Sequence, residues 1–178
     1  MRNLVLTTLL TLIAVACGWA KGQEAVTPTP HEVPYYFIAI HNEPCHFPDG
    51  RRALEISYHT LGEMIEQADK YNIKLTLMFA PQWADFIAED SERMDLLAKW
   101  KKRGHEIAGH HHSIYHGNWD GYTDYPAEHT LAERACHTTR PEPYLGTLTH
   151  FLERLRKIEP TLRCGCMNDE FDKKELPE

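Results

Sequence analysis

A dense group of histidines lies in the segment from Gly104 to Trp119, which holds five of the twelve histidines of the chain. Imidazole is the commonest side-chain ligand for metals in proteins, and zinc is one of the ions it binds most often. The segment begins with a short apolar stretch that predicts a strand and continues into a polar loop. A histidine cluster in this position indicates a metal-centred site.

The second half of the segment contains the candidate ligands. His110 ends a predicted strand over 105–110, and His111 and His112 follow directly. Strand alternation places His110 and His112 on one face while His111 points away. His116 follows His112 by four residues, so one helical turn or a tight loop brings both imidazoles to one ion. His110, His112 and His116 are therefore the candidate metal histidines.

The residues that follow a predicted buried strand over 35–40 supply a carboxylate. His41 and Glu43 share one face by the same alternation, so Glu43 is the candidate acidic ligand or general base. His41 is expected to position a neighbouring ligand. One carboxylate and two histidines form an open zinc site, and zinc lowers the pKa of its water to about 7, which gives a hydroxide nucleophile.

The rest of the chain predicts an α/β fold. Apolar runs predict strands over 35–40, 73–79, 105–110 and 161–167, and helical spacing predicts helices over 51–71, 83–103, 127–136 and 146–158. Strands that alternate with helices of this length indicate βα units and a parallel sheet. Four such units use the whole chain, whereas a closed (β/α) barrel needs roughly 250 residues. The domain is therefore either a small open sheet or the front part of a longer barrel.

The N-terminus predicts export. Residues 1–20 resemble a signal peptide, 21–34 form a proline-rich linker, and 35–178 form the domain. Cleavage after Ala20 competes with a weak lipoprotein box that ends at Cys17, which is the one route by which we expect a membrane anchor. Both alternatives place the domain outside the cytoplasm, either periplasmic or secreted.

The net charge limits the classes of partner, and the cysteine content limits the possible disulfides and metal ligands. A net charge of −7 and a pI near 5.9 argue against a nucleic-acid partner. Without Cys17, four cysteines remain, and an oxidising compartment permits disulfides among them. Cys164 and Cys166 flank one glycine on a predicted strand, a spacing that is compatible with a metal pair but is more often structural.

The histidine segment also resembles a known family. The Gly104-His105-Glu106-Ile107 stretch, followed by the His-Ser-x-x-His element that ends at His116, resembles the second motif of the polysaccharide deacetylases, the family 4 carbohydrate esterases. Glu43-Pro44 lies where that family carries its paired aspartates, and 74–79 resembles the intervening strand. The resemblance covers roughly residues 35–120.

This resemblance implies a distorted (β/α) barrel, a divalent metal, most simply Zn²⁺, and hydrolysis of an N- or O-acetyl group on a glycan or amino sugar. It makes His112 and His116 the metal histidines, Ser113 a brace for their loop, and Glu43 the third ligand or the base. Aligning the start of the motif instead makes His110 the first ligand, so the register between His110 and His112 stays open.

Several alternatives follow from departures from the family pattern. One carboxylate replaces the usual pair, and Asp49, Asp120 and Asp124 are the candidates for the second. The closing motif with its catalytic histidine is missing, so the chain is either cut short before the barrel closes or is a catalytically silent relative that binds glycan or metal. Trp119 and Tyr122 are candidates to stack on sugar rings, with packing as the alternative.

Overall fold

The computed structural model describes residues 37–45, 50–137, 144–162, 165–167 and 170–173. These residues form a mixed α/β structure around a four-stranded parallel sheet, which confirms the predicted fold class at that level. The signal peptide, the linker and Cys17 lie outside the described residues. Within the described part of the chain, no helix has both the length and the apolar character to cross a bilayer.

The strands follow one another across the sheet in chain order. They are β1 (Ile38–Asn42), β2 (Leu75–Phe79), β3 (Glu106–His111) and β4 (Gly165–Met167). Each pair of neighbours is parallel, so all four carboxyl ends lie at one edge. Polar groups that follow different strands therefore meet at this edge, as in other parallel α/β folds.

Among the described residues, five helices connect these strands, and a sixth follows β4. They are α1 (Gly50–Lys70), α2 (Pro81–Ala88), α3 (Ser91–Lys102), α4 (Ala127–His137), α5 (Leu148–Arg156) and α6 (Glu170–Lys173). The stripe predicted for α1 is confirmed, because its apolar residues are buried at helical spacing: Leu54, Tyr58, Leu61, Ile65 and Ala68. The stripe on α5 is likewise buried.

Three predicted elements differ from the structure. The strand predicted over 161–167 is shorter, because Thr161 and Leu162 lie in a turn, in which the Leu162 amide donates to the carbonyl of Glu159, and β4 begins at Gly165. The helix predicted over 83–103 is two helices, because Asp90 adopts an extended backbone and its carboxylate accepts hydrogen bonds from the amides of Glu92 and Arg93. An aspartate that satisfies free amides in this way starts a new helix. The strand predicted to end at residue 40 continues to Asn42, so His41 lies within β1 and not after it.

One face of the sheet packs against helices and forms the core. Leu77, Phe79 and Ile107 share this face and are buried in one cluster with residues of α1, α2, α3 and α5. A β-carbon on Gly109, on the same face, would lie 2.9 Å from Cδ1 of Leu155 in α5. The absence of a side chain at Gly109 therefore lets α5 approach β3 closely.

This close approach makes Gly109→Ala a test of the packing. We expect the substitution to lower the free energy of unfolding by about 1–3 kcal/mol, because the buried Leu155 side chain must shift to make room. Urea unfolding measures the change. Gly117→Ala is the matched control, since nothing lies within 4 Å of the added carbon, and it should change stability by less than about 0.5 kcal/mol. Equal effects of the two variants would contradict this packing.

Candidate metal centre

Three of the predicted ligands meet at the carboxyl edge of the sheet. Glu43 follows β1, while His110 lies in β3 and His112 follows it. Donor atoms of these three residues lie within 4.8 Å of one another. Oε1 of Glu43 is 3.3 Å from Nε2 of His110, and Oε2 is 3.3 Å from Nε2 of His112. The carboxylate therefore lies between the two imidazoles.

The backbone around Glu43 is fixed by the neighbouring strand and helix. The Asn42 side chain donates a hydrogen bond to the carbonyl of Met78 at 3.0 Å, and the Ala80 amide donates to the carbonyl of Asn42. The indole of Trp83 in α2 donates to the carbonyl of Glu43 at 2.9 Å. These contacts hold the end of β1 against the end of β2 and so determine where the Glu43 carboxylate lies.

His112 is oriented by the loop that follows it. Its Nδ1 lies 2.8 Å from the backbone carbonyl of Asn118, which can only accept a hydrogen bond. Nδ1 must therefore carry the ring proton, which leaves the lone pair of Nε2 facing Glu43. A histidine held in this way is typical of metal ligands. The Asn118 side chain also donates to Oε2 of Glu43, so one residue positions two candidate ligands.

Two distances in the cluster are compatible with a tetrahedral ion. Zinc bonds of about 2.0–2.1 Å at tetrahedral angles place neighbouring ligand atoms about 3.3 Å apart. Both distances from the carboxylate of Glu43 to the imidazoles are 3.3 Å. The donor set, one carboxylate oxygen and two imidazole nitrogens, is one that zinc accepts in open catalytic sites.

The environment also favours the protonation states that metal binding requires. Burial lowers the pKa of His110 to about 4, and the neighbouring His112 acts in the same direction. Burial likewise lowers the pKa of His112. Partial burial by itself raises the pKa of Glu43, but the two imidazoles outweigh it and hold the pKa below its ordinary value. Near neutral pH the cluster therefore offers two neutral imidazoles and a carboxylate, which are the ligating forms.

His116 lies beside the cluster but is not part of it. Its ring centroid is 3.8 Å from that of His112. Among the described residues, however, the donor atoms that lie within 4.8 Å of one another here belong to Glu43, His110 and His112. The Asn118 amide donates to Nδ1 of His116 at 3.0 Å, and the side chain is exposed. The structure thus brings together His110 and His112 with Glu43, and it places the expected ligand His116 against the outer side of His112.

His111 points away from the cluster, as strand alternation predicts, into a buried charge network. Nδ1 is 2.7 Å from Asp120, and Nε2 is 3.1 Å from Asp172 in α6. All three side chains are 0% exposed. Asp172 also accepts a hydrogen bond from Thr123, and Asp120 accepts one from the amide of His112. This network links β3, the following loop and α6 directly beneath the candidate ligands.

The network predicts a pH dependence of stability. Burial by itself lowers the pKa of His111, but Asp120 and Asp172 outweigh it and raise the pKa to about 9. Because the folded-state pKa lies above the ordinary value of 6.5, the stabilisation is full below about pH 6.5 and is lost as the pH rises through about 9. We expect the metal-free protein to lose on the order of 3 kcal/mol of unfolding free energy across this range.

Urea unfolding at a series of pH values measures this loss. His111→Gln, which removes the titrating group, should show a smaller decline over the same range. An equal decline in both proteins would assign the effect to other groups.

The loop that carries His116 is braced from two sides. Arg134 of α4 donates hydrogen bonds to the carbonyls of Ile114 and His116 at 2.9 and 2.7 Å. Ser113 is buried; its hydroxyl accepts from the Tyr115 amide, and its carbonyl accepts from the His116 amide. This placement agrees with the bracing role expected for Ser113, while Arg134 was not foreseen because it lies far along the chain.

The two aromatic candidates for sugar binding have a packing role. Trp119 and Tyr122 are only 1% and 2% exposed, and the Trp119 indole donates to the carbonyl of Tyr122. The Tyr122 ring packs edge-on against Phe151 of α5. Neither ring presents a face to a ligand in this structure, which corrects the expectation that they stack on sugar rings.

The candidates for a second acid do not lie in the cluster. Asp120 holds His111 and the backbone of the loop, and Asp124 accepts a hydrogen bond from the Leu148 amide at the start of α5. Asp49 lies outside the described residues. Among the described residues, Glu43 is thus the carboxylate that contacts the two imidazoles.

A second group of side chains that can bind a metal shares His110 with the first group. His41, His110 and Cys166 have donor atoms within 4.8 Å of one another. The His41 and His110 rings are 4.5 Å apart, and Cys166 in β4 is the register partner of His110. Cys45, Cys136 and Cys166 are free thiols, and Cys164 lies outside the described residues.

A groove of about 260 Å³ borders the same edge of the sheet. Its polar lining includes Cys45, two residues after Glu43, together with Arg51 of α1 and Gln82 of α2. The Gln82 amide donates to the carbonyl of Asp120 at 2.8 Å, which connects the groove wall to the loop that follows the histidines. The volume approaches the lower end of the range for small-molecule sites.

Comparisons with known proteins give no assignment for this site. No family model, no curated protein and no solved structure matches the chain.

Proposed function

We propose that the protein is an exported, metal-dependent hydrolase that removes acetyl groups from a glycan or an acetylated amino sugar, in the manner of the polysaccharide deacetylases. The observation that supports the proposal best is the convergence of Glu43, His110 and His112 at the carboxyl edge of a parallel sheet. Metal hydrolases on parallel α/β folds place their ligands at this edge. The motif resemblance supplies the substrate class.

In this proposal Glu43, His110 and His112 hold the ion. Zinc, when bound there, supplies Lewis acidity and lowers the pKa of a water ligand to about 7. Asn118 orients two of the three ligands through its backbone carbonyl and its side chain. The chain thus holds the ligand set in place before the ion arrives, which reduces the cost of ordering the site.

His116 takes the part of the proton-transfer group. Because Nδ1 accepts a hydrogen bond from the Asn118 amide, the ring proton of the neutral imidazole resides on Nε2. The side chain is exposed and lies against His112, at the outer side of the ligand cluster. In its imidazolium form, in which a proton on Nδ1 replaces the contact with the Asn118 amide, His116 can donate its Nε2 proton to the amine that leaves an acetamide. The proton of the attacking water then goes to Glu43 or to solvent.

We further propose that the sheet is an arc of a (β/α) barrel. Parallel strands in the order β1-β2-β3-β4 with intervening helices follow the same sequence of neighbours as consecutive strands of such a barrel. The groove beside Glu43, with Arg51, Gln82 and Glu89 in its wall, offers polar groups that suit sugar hydroxyls. The signal-like N-terminus supports a periplasmic or secreted location, with a lipid anchor at Cys17 as the alternative.

The proposal is tested by metal analysis of the purified protein, followed by acetate release from acetylated chitooligosaccharides and acetylated xylan. We expect stoichiometric zinc and acetate release that a chelator abolishes and added zinc restores. His116→Ala separates two roles for this residue. If it transfers a proton, the variant keeps its metal and loses roughly 10²–10⁴-fold in kcat. If it is a ligand, the variant loses the metal.

One observation favours a second candidate, a catalytically silent relative that binds glycan or metal. Among the described residues, Glu43 is the carboxylate in contact with the imidazoles, where the resembled family uses a pair. Bound zinc without acetate release from any acetylated glycan would support this candidate and contradict the enzyme. Absence of zinc binding would contradict the enzyme and the metal-binding form of the second candidate, and absence of glycan binding as well would contradict the second candidate entirely.

A further inference from the structure

We propose that His41, His110 and Cys166 form a second metal site, selective for thiophilic cations, that competes with the Glu43 site for His110. The three side chains extend from neighbouring parts of the same sheet face. Cys166 pairs with His110 in register across β3 and β4, and the ring of His41 in β1 lies 4.5 Å from that of His110. Their donor atoms lie within 4.8 Å of one another.

The observation that points to a ligand is a buried nitrogen of His110, on the sheet face opposite the core. His110 is 2% exposed, and its buried Nδ1 has no hydrogen-bond partner among the described residues. A buried polar atom without a partner costs roughly 1–3 kcal/mol, and native structures retain one where an ion, a water or a function accounts for it. Nε2 of His110 faces Glu43, so Nδ1 is the nitrogen left for a second ion.

The contact with Glu43 prepares Nδ1 for that role. Nε2 of His110 lies 3.3 Å from Oε1 of Glu43, a distance at which a protonated Nε2 donates to the carboxylate. In that tautomer the lone pair is on Nδ1. A carboxylate that accepts from one nitrogen of a histidine while the other binds metal is the common arrangement around protein metal ions.

The donor set determines the class of cation. Two imidazoles and a thiolate favour soft or borderline ions such as Cu⁺, Zn²⁺ and Cd²⁺ over Mg²⁺, Ca²⁺ and Mn²⁺. Binding replaces the S–H bond of Cys166 by a sulfur–metal bond, and the proton leaves to solvent, with no change of oxidation state. The Glu43 site, which offers an oxygen in place of the sulfur, has the weaker preference for soft ions.

The two sites exclude each other because they require opposite tautomers of one neutral ring. An ion beside Glu43 and His112 takes Nε2 of His110 and leaves the proton on Nδ1. An ion beside His41 and Cys166 takes Nδ1 and leaves the proton on Nε2. Occupation of the second site therefore disables the first, so a thiophilic cation acts as an inhibitor of the proposed hydrolase. Only this consequence rests on the proposed function; the second site itself does not.

The experiment titrates the metal-free protein with Co²⁺ and, separately, Cd²⁺, and follows the charge-transfer absorption that a thiolate–metal bond produces. Four variants separate the sites: Cys166→Ser and His41→Ala remove the second, Glu43→Gln removes the first, and Cys136→Ser is the matched thiol control on the exposed face of α4. We expect the thiolate band with Cd²⁺ in wild type, Glu43→Gln and Cys136→Ser. Cys166→Ser should lack it, and His41→Ala should bind at least tenfold more weakly.

Persistence of the thiolate band in Cys166→Ser, or its absence from wild type, would overturn the second site. A stoichiometry of two ions in wild type would overturn the competition for His110. The proposed function is tested by a different measurement. If the zinc-loaded protein releases no acetate, the proposed function is contradicted, while the thiolate band with Cd²⁺ is unaffected. If the protein releases acetate, Cd²⁺ should inhibit the wild-type enzyme. The Cys166→Ser variant should need at least a tenfold higher Cd²⁺ concentration for the same inhibition.

Discussion

Replacement of Glu43 by glutamine or of His112 by alanine, each made in a Cys166→Ser parent that lacks the second site, is expected to abolish zinc binding and with it acetate release. Each change removes one of three ligands whose donor atoms lie within 4.8 Å. Changes to residues that only orient a ligand typically cost 10- to 100-fold in metal affinity, so loss of a ligand should cost more. We expect kcat to fall roughly a thousandfold or more, as for other essential catalytic groups.

Isothermal titration with zinc and an acetate-release assay measure the two effects. Glu43→Gln preserves side-chain volume, so a folding defect is not the expected cause of its loss. His59→Ala and Glu63→Gln are matched controls, since both side chains lie on the exposed face of α1, with 76% and 65% exposure. Zinc affinity within threefold of the Cys166→Ser parent in either variant would contradict the assigned ligand set.

The second large effect concerns stability. His111→Ala should lower the free energy of unfolding by about 3–5 kcal/mol near pH 6, because it leaves the buried carboxylates of Asp120 and Asp172 facing each other without a cation. The removed ring also leaves a void beside Phe151, whose ring lies 5.2 Å from it. Chemical denaturation followed by circular dichroism measures the change.

A less severe variant keeps this prediction testable if His111→Ala does not fold. His111→Gln retains a hydrogen-bond donor for one carboxylate but no charge, so its loss of stability should be smaller. His59→Ala, whose ring is exposed, should lie within about 0.5 kcal/mol of wild type. A loss below about 1 kcal/mol in His111→Ala would show that the network contributes little to the fold.

The fold class was accessible from the sequence because its signals are local. Apolar runs and helical spacing identify a strand or helix from neighbouring residues alone, and the buried stripe of α1 matches the prediction. The break at Asp90 was missed because an N-cap aspartate within a continuous helical pattern is indistinguishable from a solvated one until its backbone geometry is known.

The ligand set was only partly accessible. Strand alternation correctly separates His110 and His112 from His111. It does not decide between His110 and His116, because that choice depends on the path of the loop after β3. The roles of Asn118, Asp172 and Cys166 depend on contacts between segments that lie far apart in the chain, and no local pattern marks them.

The sequence alone determined the residue types and their order: an acidic strand end, a histidine-rich strand end, and the βα repeat that brings both to one edge. The tertiary structure decided which histidine faces the carboxylate, that the aromatic rings of Trp119 and Tyr122 are buried, and that one imidazole lies between two donor groups. The physical reason is that strand alternation fixes the direction of a side chain, whereas its partners are set by strand register and by long-range hydrogen bonds.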